Sequence, residues 1–128
     1  MENFGMILIY EWEKKKEKKL LDFCSARGIR VKNVPSSLYG ETLGALAEIS
    51  GIKSSGRKDE QGAFGEEMMV FAGIDSERLD IFLKDYKREG IEPVQLKAIL
   101  TPYNIFWNSR QLYGELRKER EAFQKPFK

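Results

Sequence analysis

The chain is 128 residues long, 41% hydrophobic and 12% aromatic, with 22 basic and 20 acidic side chains and a net charge of +2. This suits one domain with a real core and excludes wholesale disorder, while the near balance of charge gives no case for nucleic acid by itself. There is no histidine and only one cysteine, Cys24, which excludes Ser-His and Cys-His catalysis, an internal disulfide and a Cys-rich zinc site.

The apolar run Met6-Ile7-Leu8-Ile9-Tyr10 reads as a strand buried on both faces. It is too short for a signal h-region or a membrane span, and an unpaired thiol suits a reducing compartment. A cytoplasmic location with no membrane contact is therefore expected. A lysine-rich stretch follows, then Leu20, Leu21, Phe23 and Cys24; positions 17, 20, 21 and 24 repeat at helical spacing and predict a helix that Gly28 ends. Residues 29–34 form a short alternating strand stopped by Pro35, and Leu38, Thr42, Leu43, Leu46 and Ile49 predict a second helix over about 38–50.

Residues 51–66 have no periodicity and four glycines, the composition of a flexible linker. Their Gly51 and Gly56 have the spacing of a phosphate-binding loop. Arg57 and Lys58 nevertheless stand where that loop needs Lys followed by Ser or Thr, and a helix precedes it where a strand should.

The pattern then restarts. Met68–Ala72 is a buried strand, and Asp75 or Ser76 caps a helix with Leu79, Phe82, Leu83 and Tyr86 on its apolar face, ended by Gly90. Residues 94–100 form the fourth strand. Asn108 with Gln111 is a variant capping box, and Trp107 with Leu112 a hydrophobic staple, so a last helix runs from there to about Ala122.

A shift of sixty-two residues lays Met6 on Met68, Leu21 on Leu83, Gly28 on Gly90 and Ile29 on Ile91. Few residues are identical, but hydrophobic pattern and helix stops agree. The tetrapeptide Leu-Tyr-Gly-Glu occurs at 38–41 and again at 112–115, at a different shift, so one half carries an insertion. The expected organisation is a single domain: a half-repeat 5–51, a flexible linker 51–66 and a half-repeat 67–124. The expected fold is α/β, two βαβα half-repeats forming a four-stranded, mainly parallel sheet with four helices. The alternative is a ferredoxin-like α+β two-layer sandwich.

Lys97-Ala98-Ile99-Leu100-Thr101-Pro102-Tyr103-Asn104, then Trp107, then Leu112 with Glu115-Leu116 and Glu119-Arg120, resembles an uncharacterised bacterial family, domain of unknown function 3783. The resemblance covers about residues 67–121. It implies no activity, substrate or catalytic residue, because the family has none established.

If all four strands are parallel, their C-terminal ends share one edge, where open α/β sheets bind ligands. That edge would gather Tyr39, Glu41, Thr101, Tyr103, Asn104 and Trp107, a mixture that suits a small polar ligand or a protein partner. A non-enzymatic cytoplasmic binding or regulatory module is the expected function, with no cofactor and no metal. One alternative is a small enzyme using carboxylate acid/base chemistry at Glu41 or Asp75 with Lys97 or Tyr103 nearby. Another is a weak RNA-binding module built on lysines 14–19. Interleaved Glu13 and Glu17 and the lack of an aromatic platform make nucleic acid the poorer reading. Exposed sheet edges leave homodimerisation open.

Overall fold

The computed structural model describes residues 5–124. Strands β1 (Met6–Tyr10), β2 (Arg30–Asn33), β3 (Met68–Ala72) and β4 (Leu96–Ile99) form one sheet in the order β2-β1-β3-β4. Helices α1 (Lys14–Ser25) and α3 (Ser76–Arg88) cover one face, and α2 (Leu43–Leu46) and α4 (Ser109–Gln124) the other. β1 and β3 are buried at every position, as their uninterrupted apolar runs require, because each face of the sheet carries its own core. Ile7, Ile9, Met69 and Phe71 meet Leu20, Phe23, Leu79, Phe82 and Tyr86 on the first face. Leu8, Tyr10, Met68 and Val70 meet Val34, Tyr39, Leu43, Leu46 and Leu112 on the second. Helices on both faces distinguish this three-layer arrangement from the ferredoxin-like sandwich.

The sheet is mainly parallel: β1 pairs in parallel with β2, and β3 with β4. Its central pair is not, since β1 and β3 run antiparallel. The shared edge expected from four parallel strands therefore does not exist. The C-terminal ends of β1 and β2 lie at one end of the sheet, and those of β3 and β4 at the other.

The central register carries the internal symmetry. Leu8 pairs with Val70, and these two are equivalent under the sixty-two-residue shift, so a pseudo-two-fold axis passes between them. Met6 pairs with Arg30, but Met68 pairs with Leu96 rather than Glu92. The second crossing therefore holds four extra residues, and beyond it the equivalence runs at sixty-six. At that shift Thr42 matches Asn108. These two also face each other in an isolated antiparallel bridge, so the axis crosses the second face at the paired starts of α2 and α4.

Local chemistry accounts for the helix limits. Gly28 and Gly90 take φ of 70° and 80° just past α1 and α3, the left-handed turn that glycine allows without a side-chain clash. Asp75 accepts the Arg78 N–H at the start of α3. Asn108 and Gln111 exchange reciprocal side-chain to backbone bonds, both 2.9 Å, as the capping box predicts.

The second helix is shorter than the expected 38–50. Ser36–Leu38 form a 3-10 turn, and α2 begins only after Thr42, whose hydroxyl accepts the Ala45 N–H. It ends in a Schellman turn: Glu48 N–H donates to Ala45 and Ile49 N–H to Gly44. Glu48 supplies the left-handed residue at φ 60°, and its carboxylate receives both arms of Arg30. Gly44 could not be another residue without displacement, because an added Cβ would lie 2.7 Å from Ile52 and 2.8 Å from Ile105.

Two outcomes are expected from this packing. Leu8→Ala, at a fully buried position, should cost about 2–5 kcal/mol in urea unfolding. Combined with Val70→Ala it should depart from additivity by more than about 0.5 kcal/mol, because the two touch across the axis. Cys24 is buried in the first core, and burial pushes its thiol up to about 12 against a smaller opposing effect of Arg27. Native protein should therefore react with a thiol reagent far more slowly than protein in urea.

Candidate functional site

The residues expected at a common strand edge fall into two neighbourhoods on the second face. They are joined where the segment after β2 meets the segment after β4. Leu43 N–H donates to the Trp107 carbonyl at 2.8 Å, Gly44 N–H to Ile105 at 2.8 Å, and Ser109 N–H to Tyr39 at 3.1 Å.

The first neighbourhood is a hub beneath residues 51–66. Those residues contain no helix or strand and none is buried, and three acidic anchors tie them down. Glu41 accepts the Ser54 hydroxyl and the Ser55 N–H, besides its neighbour Thr42 N–H. Glu11 accepts the Phe64 and Gly65 N–H groups and the Tyr39 hydroxyl. Asp59 holds Arg110 through a two-pronged pair, both contacts 2.7 Å. Glu11 sits at φ 59° immediately after β1, a conformation that costs a non-glycine residue about 1 kcal/mol or more.

Rings fill the hub. Phe64 lies between Tyr39 and Tyr113, 4.2 Å from each ring centre and nearly parallel to both. Tyr10 closes the floor, its hydroxyl 2.8 Å from the buried Ser109 hydroxyl. Burial raises the Tyr39 hydroxyl above its ordinary range, and the Glu11 carboxylate beside it adds to that.

Phe64, Asp59, Arg110 and Tyr113 were not among the sequence candidates. One signal did point to Tyr113: it and Tyr39 are the tyrosines of the two Leu-Tyr-Gly-Glu tetrapeptides.

Glu41 is buried, yet its carboxyl is not raised. Burial pushes it up, but hydrogen bonds from the Ser54 hydroxyl and from the Ser55 and Thr42 N–H groups outweigh that and hold it at about 2, below an ordinary 4.5. Asp75 is lowered too, first by the Arg78 N–H. Neither carboxyl is tuned to give up a proton near neutral pH.

The second neighbourhood is the loop after β4. Thr101 N–H donates to Asn104 Oδ1 at 2.9 Å, and Asn104 Nδ2 donates to the Ile99 carbonyl at 3.0 Å. Asn104 is thus a buried clasp that shapes the loop. The Thr101 hydroxyl accepts the Tyr103 N–H. Trp107 packs its half-buried ring against the second core. Tyr103 stands 91% exposed and Phe106 70% exposed, while Ile99 on β4 is 48% exposed. Of the six candidates, Tyr39 and Glu41 belong to the hub, Thr101 and Asn104 hold the loop, Trp107 joins loop to core, and Tyr103 faces solvent.

Among the described residues, no cluster of His, Cys, Asp or Glu could hold a metal ion, and no helix is long and apolar enough to cross a membrane. In the lysine stretch, Lys16 is taken by Glu67, and Glu17 accepts an Asn33 amide. Lys14, Lys15, Lys18 and Lys19 are exposed.

The Glu41 anchor predicts a pH dependence. A carboxyl held below its unfolded value stabilises the fold fully above about 4.5, and that stability is lost as pH falls toward about 2. Glu41→Gln should be about 1–3 kcal/mol less stable than wild type at pH 6. The gap should close as unfolding is followed down to pH 2.5.

No curated protein and no solved structure matches the chain. The model of DUF3783, a domain of unknown function, matches residues 67–123. The Thr101–Trp107 loop, with β3, α3, β4 and most of α4, therefore lies in the part of the chain that is similar to DUF3783.

Proposed function

We propose that this protein is a non-enzymatic binding module that docks an extended segment of a protein partner along β4 and the Thr101–Trp107 loop. The observation that carries this reading is the contrast within the loop. The Asn104 amide is turned inward and satisfied, while Tyr103 and Phe106 are left bare, as is Ile99 at the end of β4. Aromatic side chains are the costliest to leave in water and the most productive at protein interfaces.

The two sheet edges differ in a way that favours β4. On β2, Arg30 and Lys32 are engaged with Glu48 and the Leu46 carbonyl, the charged trim that discourages strand addition. On β4, Lys97 is followed by Ala98 and the exposed Ile99, which leads into the aromatic loop. An added strand would hydrogen-bond to the outer edge of β4 and rest its own side chains against Ile99 and the aromatics, a familiar mode of peptide capture.

The same geometry weighs against the other readings. At this loop a small polar ligand would need free polar groups, and the Asn104 amide is already spent on the Thr101 N–H and the Ile99 carbonyl. Carboxylate acid/base chemistry needs a raised carboxyl, and those of Glu41 and Asp75 are lowered.

The test compares wild type with Tyr103→Ser/Phe106→Ser in affinity capture, followed by hydrogen exchange on the captured complex. Wild type should retain a partner that the double variant loses at unchanged melting temperature, and binding should protect the β4 amides. Equal retention by both proteins, or protection confined to other strands, would remove this assignment.

A further inference from the structure

The hub beneath residues 51–66 has the form of an occupied ligand site. In the first core Phe82 packs edge-on against Phe23 at 72° and Phe71 at 75°, and it is stacked on one side only, against Tyr86 at 27° with ring centres 6.1 Å apart. Phe64 instead lies flat between Tyr39 and Tyr113, at 18° and 8°. A double parallel stack is how proteins hold a flat heterocycle.

The backbone beside the ring adds a second likeness. Phe64 N–H and Gly65 N–H donate to Oε2 and Oε1 of Glu11, two adjacent donors on the two oxygens of one carboxylate. Guanine presents the same pair, N1–H and the 2-amino group, along one edge of its ring.

A cationic row completes the set. α4 carries Arg110, Tyr113, Arg117 and Arg120 at spacings of three, four and three, which share one helix face. Arg110 lies 5.4 Å from the Tyr39 ring and 5.6 Å from the Phe64 ring, and Arg117 lies 5.6 Å from the Tyr113 ring. The present partners of Arg110 are Asp59 and the Gly62 carbonyl, both on the strap that carries Phe64. No residue from 51 to 66 is classed as buried, and the strap is held by hydrogen bonds to Glu11, Glu41 and Arg110.

We propose that the Tyr39–Tyr113 slot is a guanine-nucleotide site kept closed by the protein's own strap, with Phe64 in place of the base and the Phe64–Gly65 N–H pair in place of guanine's donor edge. When the strap lifts, the base stacks between the tyrosines and Glu11 reads its two donors. Adenine is rejected, because it turns an acceptor nitrogen toward the carboxylate. Arg110, released from Asp59, meets the phosphate in a charge-assisted pair. This site is separate from the β4 surface, and neither reading depends on the other.

The experiment titrates the full chain with GDP, ADP and a short guanine-containing RNA by calorimetry. In wild type, affinity is reduced by the fraction of molecules with the strap open, so Phe64→Ala should bind GDP about tenfold or more tightly than wild type. It should also prefer GDP to ADP by about tenfold, and adding Glu11→Gln should erase that preference. Circular dichroism checks the fold. If Phe64→Ala is unfolded, Asp59→Ser loosens the strap without touching the slot and should show the same gain. Tighter binding of the RNA would identify a strand as the source of the base, and binding of GDP alone a free nucleotide. No GDP binding by a folded variant, or equal affinity for GDP and ADP, would overturn the proposal and leave Phe64 as packing.

Discussion

The antiparallel pairing of β1 with β3 is the constraint on which everything else rests. Each strand is the innermost of its own half, and each is apolar at every position. Neither could stand at a sheet edge without leaving a row of unpaired backbone groups against a hydrophobic surface. Joining the two edges closes both cores at once. Because Leu8 meets its own equivalent Val70, the pairing also fixes how one half is turned relative to the other. Starts of α2 and α4 then meet over the axis at Thr42 and Asn108, which brings the segments after β2 and β4 side by side although their strands point in opposite directions.

Much of this was legible in the sequence, for identifiable reasons. Continuous apolar runs marked β1 and β3, glycines after helical apolar spacing marked the ends of α1 and α3, and the Asn108–Gln111 pair marked the start of α4. These are local signals set by local chemistry. Strand direction at the centre was not legible, because a buried apolar run has the same composition in either orientation. The assumption that β1 and β3 run in parallel led to the expectation of a single ligand-binding edge. Segment 38–50 was misread as one helix because its apolar spacing is helical, whereas Thr42 starts the helix late and Glu48 turns the chain left-handed soon after. Glutamate is not the residue by which such a turn is normally recognised.

The candidate residues were readable by type but not by role. Tyr39, Glu41, Asn104 and Trp107 do lie in two connected neighbourhoods, yet three of them are buried and serve their own surroundings. Asn104 shows why type alone misleads. An amide in a loop suggests recognition, but this one spends its oxygen on Thr101 and its nitrogen on Ile99. Tyr103 and Phe106 are visible as surface only once the loop is seen folded back. The hub depended on contacts more than fifty residues apart in sequence, such as Glu11 with Phe64 and Gly65. Only the repeated Leu-Tyr-Gly-Glu hinted at it.

The central pairing also has a consequence for how the chain is made. β1 leaves the ribosome before β3, and the strand that completes its free edge follows only after α1, β2, α2 and the whole 51–66 strap. Until β3 arrives, the first half has one closed edge, against β2, and one open one. Long-range pairings of this kind slow folding, and exposed apolar edges invite association between chains. The interval before β3 emerges is therefore when a newly made chain is most exposed to mispairing, and the strap sets part of that delay.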